Sequence, residues 1–378
     1  MSDPGYPAAR AAAPRVRAHF DRLVSSLTDP AGRGVAAPDE DDIEAVMDAA
    51  FWTSLRREEG YVPKISLSLV APDKADAPMF FEKALSLKPS NLVKIAPAVE
   101  RPGIHLGVWR QDSGDLKVWG VTREIPAFTF VLEVAAPGLL VVKHHRGDGG
   151  KFVNVAVLEG DLVKMIDEQA SRLPDCPSLL TSLLGFDTQQ PTSGPTNVLI
   201  DLSVSMRAHG RGGILLVVPP DSTTWSESIV QPVPYAVQPS FGVLSELVRR
   251  GRTEHDEREW QEELEDAVEA IAGLTAVDGA AIITDRCDLL AFGAKITRRH
   301  GYPVVEQVSV TEPIEGGETA LVVASRFGGT RHLSAAQFVH DQRDTLALVA
   351  SQDGRFTVFA WSPCEERVHA HRVETLLL

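Results

Sequence analysis

The chain has 378 residues, enough for two domains with separate cores. Lys and Arg number 37 against 52 Asp and Glu, a formal net charge of −15, and this balance excludes a general affinity for DNA or anionic membrane, both of which reward clustered cations. No signal-peptide core or membrane-length apolar run is visible, and Cys176, Cys287 and Cys364 lack metal-type spacing, so a cytoplasmic protein with free thiols and neither membrane nor nucleic-acid partner is expected.

Residues 1–40 are rich in Ala and Pro; the spacing of Phe20, Leu23 and Val24 predicts a helix over 15–24, and 32–38 reads as a linker. Residues 41–57 read as a helix with Ile43, Val46, Met47 and Ala50 on one face. Strand patterns follow at 65–70, 104–109, 116–121, 128–134 and 139–143, with a hairpin turn at 112–115. This meander with a few helices predicts an α+β N-terminal domain over 41–190. Lys143, His144, His145 and Arg146 beside Gly147 offer an anion or metal site; the competing reading, which the opposite pointing of adjacent strand residues favours, is a solvated turn. Residues 162–173 read as a helix ending before Pro174, and 188–196 as a polar loop near the domain boundary.

The second domain, 195–378, opens with a helix over 199–209 and a buried strand over 212–218, followed by a Pro-rich polar stretch over 222–240. A helix over 264–274 and strands at 280–284, 289–292, 346–350 and 356–359 predict an α/β domain whose mixed sheet is flanked by helices on both faces.

Two stretches in this half carry chemistry. Gly328-Gly329-Thr330-Arg331-His332-Leu333-Ser334 reads as a tight glycine loop entering a helix at Ala335, with Ser334 as its N-cap. Free N–H groups, the helix dipole and the Arg331 fork all favour a bound phosphate; the competing reading is a polar loop between two elements that contains a His and an Arg. Asp278-Gly279-Ala280 stands at the entrance of an apolar strand.

Together the two stretches resemble the Asp-Gly-Ala and Gly-Thr-Arg-His-Arg motifs of the diadenylate cyclase domain found in the DNA-integrity-scanning protein family. Ala291–Ala294 and Leu346–Gly354 resemble the flanking segments. The chain departs from the family at Leu333, where the second Arg stands, and in a longer segment over 295–327. The first half resembles, in layout alone, the DACNV-like sensor domains that precede such cyclase domains.

The resemblance implies condensation of two ATP into cyclic di-AMP and two pyrophosphate, assisted by Mg or Mn. Asp278, Arg331 and His332 are the implied catalytic residues. Gly279, Ala280, Phe292, Gly293, Ala294, Gly329, Thr330, Ser334 and Ser351 are implied to contact substrate, with Phe292–Ala294 along the adenine. Asp278 and Asp353 are the implied metal ligands. Each cyclase domain takes one ATP, so a homo-oligomer of facing domains is implied, and the first half is expected to bind an unidentified ligand that alters their facing. An Arg at position 333 is expected to restore the family triplet and add a phosphate contact. The alternative is a protein that binds ATP or a cyclic dinucleotide without turnover, catalysis having been lost with Leu333.

Overall fold

Alternating strands in the first half of the chain and continuous apolar strands in the second build two mixed sheets, each with its own helices and core. A computed structural model describes residues 5–26, 37–101, 103–111, 114–145, 152–167, 195–251 and 257–378. The chain divides into two units over 1–166 and 167–377.

The first unit begins with helices α1 (Pro7–Ser26) and α2 (Glu40–Ser54). Its strands are β1 (Ser66–Leu69), β2 (Met79–Ser86), β3 (His105–Arg110), β4 (Leu116–Thr122), β5 (Phe130–Ala136), β6 (Leu139–His145), β7 (Phe152–Glu159) and β8 (Leu162–Met165), with helix α3 (Pro89–Ile95) between β2 and β3. They pair in the order β2-β4-β3-β1-β5-β6-β7-β8, antiparallel except for β1 and β3. Ile43, Val46, Met47 and Ala50 are buried on α2 as the spacing predicts, and join Val16 and Phe20 of α1 over Leu67, Leu106, Leu132 and Val142 of the sheet. The opposite sheet face is more polar. Ser66 Oγ lies 2.7 Å from His105 Nδ1, and burial pushes the His105 ring down to about 4, so it is neutral at neutral pH.

Two expectations fail in this unit. Residues 162–165 form β8 rather than the start of a helix, because Gly160-Asp161 closes a two-residue hairpin that pairs Glu159 with Leu162; the remainder of that expected helix, 168–173, and the polar loop over 188–194 lie outside the described residues. Lys143, His144 and His145, the start of the expected solvated turn, belong instead to β6, with Lys143 and His144 buried; Arg146 and Gly147 lie outside the described residues. The two His rings meet Phe20 and Phe152, which pack in different clusters. Among the described residues no group of three or more metal-ligating side chains is assembled.

The second unit contains strands β9 (Gly213–Val218), β10 (Tyr235–Phe241), β11 (Ala280–Thr284), β12 (Leu289–Ala294), β13 (Gln307–Thr311), β14 (Ala320–Val323), β15 (Leu346–Ala350), β16 (Phe356–Ser362) and β17 (Arg367–Arg372). Its described helices are α4 (Pro195–Ala208), α5 (Val243–Arg250), α6 (Glu257–Leu274), the single turn α7 (Ala324–Phe327) and α8 (Thr330–Asp341). Strand order is β10-β12-β11-β9-β15-β16-β17-β13-β14, with only β9/β11 and β13/β17 parallel. Every residue of β9 is buried, as a continuous apolar run at the middle of a sheet requires.

Helices cover both faces. Leu202, Leu247 and Ile271 of α4–α6 pack with Leu215, Val217, Ile283 and Val358 on one side. Ala335, Phe338 and Val339 of α8 pack with Ile214, Leu216, Val349 and Phe359 on the other. Fully buried side chains such as Phe338 and Phe359 each contribute about 2–3 kcal/mol of transfer free energy, which fixes α8 against the sheet. The long segment over 295–327 becomes β13 and β14, which extend the sheet beyond β17.

Candidate functional site

At one end of the second sheet the parallel strands β9 and β11 begin while their antiparallel neighbours β15 and β12 end. A cavity of about 470 Å³ opens there. Ile214 of β9 and Ala350 with Ser351 from β15 form part of its wall. Asp278 and Gly279 enter from the turn before β11, and Ala294, Lys295 and Ile296 from the end of β12. The N-terminus of α8 closes it with Gly329, Thr330, Arg331, His332 and Ser334. Two stretches some fifty positions apart in sequence thus share one cavity, as the motif pairing implies.

Helix α8 starts earlier than its sequence suggests. Gly329 is its N-cap, and the N–H groups of His332 and Leu333 donate to the Gly329 carbonyl at 3.0 and 3.2 Å. Thr330 and Arg331 therefore occupy the first turn, and Ser334 lies within the helix instead of capping it. Gly328 (φ −175°) and Gly329 (φ −75°) form the expected tight link, a two-residue bend between α7 and α8, without using the left-handed region. Gly328 is required for closeness instead: a Cβ there would stand 2.7 Å from the His332 ring.

Arg331 makes no hydrogen bond or ion pair with any described residue. A cation in a first turn opposes the helix dipole, whose positive end already attracts anions, so Arg331 adds to a cationic cradle rather than to helix stability. His332 is buried, with its Nε2 3.4 Å from Thr357 Oγ1 and its ring edge-on to Phe327 and Phe359. Burial, together with the charges of Arg372, Arg355 and Arg331, outweighs Asp353 and holds the ring below the ordinary imidazole range. His332 therefore lines the cavity without adding a charge to it.

Asp278 is ion-paired with Lys295. A hydrogen bond and the charge of Lys295, assisted by Arg331, hold its carboxyl below the usual carboxylate range, so it is ionised at neutral pH. Gly279 has φ +120°, and a Cβ on it would come within 2.4 Å of the Gly293 carbonyl carbon. That glycine brings the start of β11 against the end of β12, a close approach between strands, while Gly279 itself lines the cavity.

Four of the expected residues stand away from the cavity wall. Ala280 is buried in the core, paired in register with Ala294. Phe292 stacks on Tyr235 of β10 at 4.7 Å, and a Cβ on Gly293 would meet the same Tyr235 ring. Asp353 sits in the turn after β15, 3.5 Å from Arg355. Burial opposes its ionisation, but hydrogen bonds from Ser351 and the Arg355 backbone and the Arg355 charge prevail, leaving its carboxyl below the ordinary value. Asp278 is the single expected metal ligand on the cavity wall.

Leu333 packs against the apolar cluster beneath α8 and is absent from the cavity wall, because the helix turns this position toward the sheet. The expected gain from an Arg there is thereby corrected. Leu333→Arg is expected to lower stability by about 1–3 kcal/mol by forcing a cationic side chain against apolar neighbours, with no gain in ATP affinity. Thermal melting and ATP titration check this; an equally stable, tighter-binding variant would return position 333 to the phosphate loop.

Lys295, Ile214 and Ile296 are cavity residues that sequence reasoning missed. Lys295 directly follows Ala294, which the motif flank already singled out, and its charge at the end of an apolar strand was the available signal.

Residues 33–123 match the family described as probable sensor domain DACNV, a span that runs from the approach to α2 through β4 of the first unit. None of the curated proteins compared with the chain matches it. No described helix is long and apolar enough to cross a membrane.

Proposed function

We propose that the chain is a diadenylate cyclase that condenses two ATP into cyclic di-AMP and two pyrophosphate, governed by its DACNV-like sensor domain. The observation that carries this reading is the cavity in which Asp278 and Gly279 meet Gly329, Thr330 and Arg331. The match of residues 33–123 adds support, since this sensor domain is found with diadenylate cyclases.

In the proposed reaction each ribose 3′-hydroxyl forms a bond to the α-phosphorus of the other ATP. The α–β bridging bond breaks, pyrophosphate leaves, and the hydroxyl proton passes to solvent. Arg331, the Thr330 and Ser334 hydroxyls and the first N–H groups of α8 hold phosphate oxygens and offset the charge that develops on them. Asp278, ionised and next to the cavity, positions the attacking hydroxyl. A divalent cation such as Mg or Mn would supply charge neutralisation at the phosphates. One carboxylate completed by phosphate oxygens is an ordinary way to hold Mg, so Asp278 fits this role, whereas Asp353 stands aside with Arg355.

One cavity holds one ATP, so ring closure requires a second chain with its cavity facing the first. A homo-oligomer is therefore part of the proposal, as is control of that facing by a ligand of the sensor domain. The competing reading, nucleotide binding without turnover, is favoured by one observation: Leu333 directs no cation into the cavity. Incubation with ATP and Mg or Mn, with product masses read out, separates the two. Cyclic di-AMP is expected; intact ATP despite measurable binding would establish the competing reading.

A further inference from the structure

We propose that Lys295 is the second polyphosphate-binding cation of this cavity, and that a nucleotide arriving with its divalent cation takes it by exchange: Asp278 passes from Lys295 to the cation while Lys295 passes to the phosphate oxygens. The inference rests on the reading of the cavity as a nucleotide site.

The register creates the pair. Ala280 of β11 lies opposite Ala294 of β12, so residues just beyond that pairing, Asp278 on one strand and Lys295 on the other, emerge together at the cavity mouth. The Asp278 side chain is 93% exposed and that of Lys295 50% exposed. Exposed ion pairs are weak and screened, so this one exchanges readily with a better-matched partner. Arg331, on the same cavity wall, has no ion pair with any described residue, and Leu333 is half-buried against the apolar cluster beneath α8. Lys295 is therefore the second cation beside Arg331 on the cavity wall, on a flexible stem suited to following a phosphate chain.

The pairing makes the two ligands interdependent. A polyphosphate without metal must draw Lys295 away and leave Asp278 as an uncompensated charge facing the anion. A metal ion without phosphate must displace an ammonium. When both arrive together each charge finds an opposite partner, so each ligand raises the affinity for the other by the same factor.

The test is titration calorimetry of the full chain with α,β-methylene-ATP, which resists cleavage at the α–β position, in Mg and in EDTA. The wild-type protein is expected to bind the Mg complex more tightly. Asp278→Asn is expected to invert the pattern, tightening metal-free binding about tenfold by releasing Lys295 and removing the repulsion, while weakening the Mg complex. Lys295→Met is expected to weaken metal-free binding by about tenfold or more, the scale of one lost charge-assisted hydrogen bond. It should also cancel the gain when added to Asp278→Asn, and Lys295→Arg should restore most of the affinity. Unchanged melting temperatures confirm that the variants are folded. If the variants bind as the wild type does in both buffers, the exchange is refuted while the nucleotide reading stands. If neither form of the analogue binds the wild-type protein, the nucleotide reading falls and this inference with it.

Discussion

Asp278→Asn is expected to reduce conversion of ATP to cyclic di-AMP by about a hundredfold or more, the scale on which loss of a positioned charged group is felt. Its side chain is fully exposed and touches the protein chiefly through Lys295, so the substitution keeps shape and removes charge without disturbing a core. The melting temperature should stay within about 2 °C of the wild type, as for surface substitutions generally. Product mass spectrometry and a melting curve on the same preparation decide the matter. Near-wild-type turnover at unchanged stability would remove Asp278 from the reaction.

Gly279→Ala is expected to have the largest effect on folding. The residue sits at φ +120°, where side chains are strained, and its added methyl would press on backbone atoms of Gly293 and Ala294, which cannot rotate away. Strain and overpacking together should cost roughly 3 kcal/mol or more. In a unit of this size that corresponds to a drop of roughly 10 °C in the melting of the second domain. A melt indistinguishable from the wild type would show that β11 and β12 part freely, and that the cavity wall is softer than its register implies.

Much of the second unit was readable because its central strands are buried on both faces. Strands β9, β11 and β15 are short apolar runs with no polar face to confuse their period, and the structure places them side by side. The edge strands were not readable for the opposite reason. Most of β10 and β14 is exposed, so burial imposes no pattern on them, and they lie in stretches that look like loops. β8 is four residues long, too short for a period-2 pattern to compete with a helical one. The meeting of the two motifs was legible from residue type and order. The departures of Phe292 and Asp353 from the cavity wall were not, since they depend on the Tyr235 ring and the Arg355 side chain, which the motifs do not include. The direction of Leu333 depends on where α8 begins, and moving that start from Ala335 to Thr330 changes which side chains face the sheet.

The cavity stands where four strand ends converge, near residues 214, 279, 294 and 350, together with the first turn of a helix that begins at 330. No contiguous segment contains more than a fraction of it. A nascent chain that has completed only β9, β11 and β12 has Asp278 and Lys295 in place but lacks the first turn of α8, and α8 needs the sheet beneath it to be anchored. On the proposed reading, nucleotide affinity belongs to the finished domain and is not expected of a fragment. By mass action a bound nucleotide should then raise the unfolding midpoint of the whole second unit as one transition, rather than protecting a single loop.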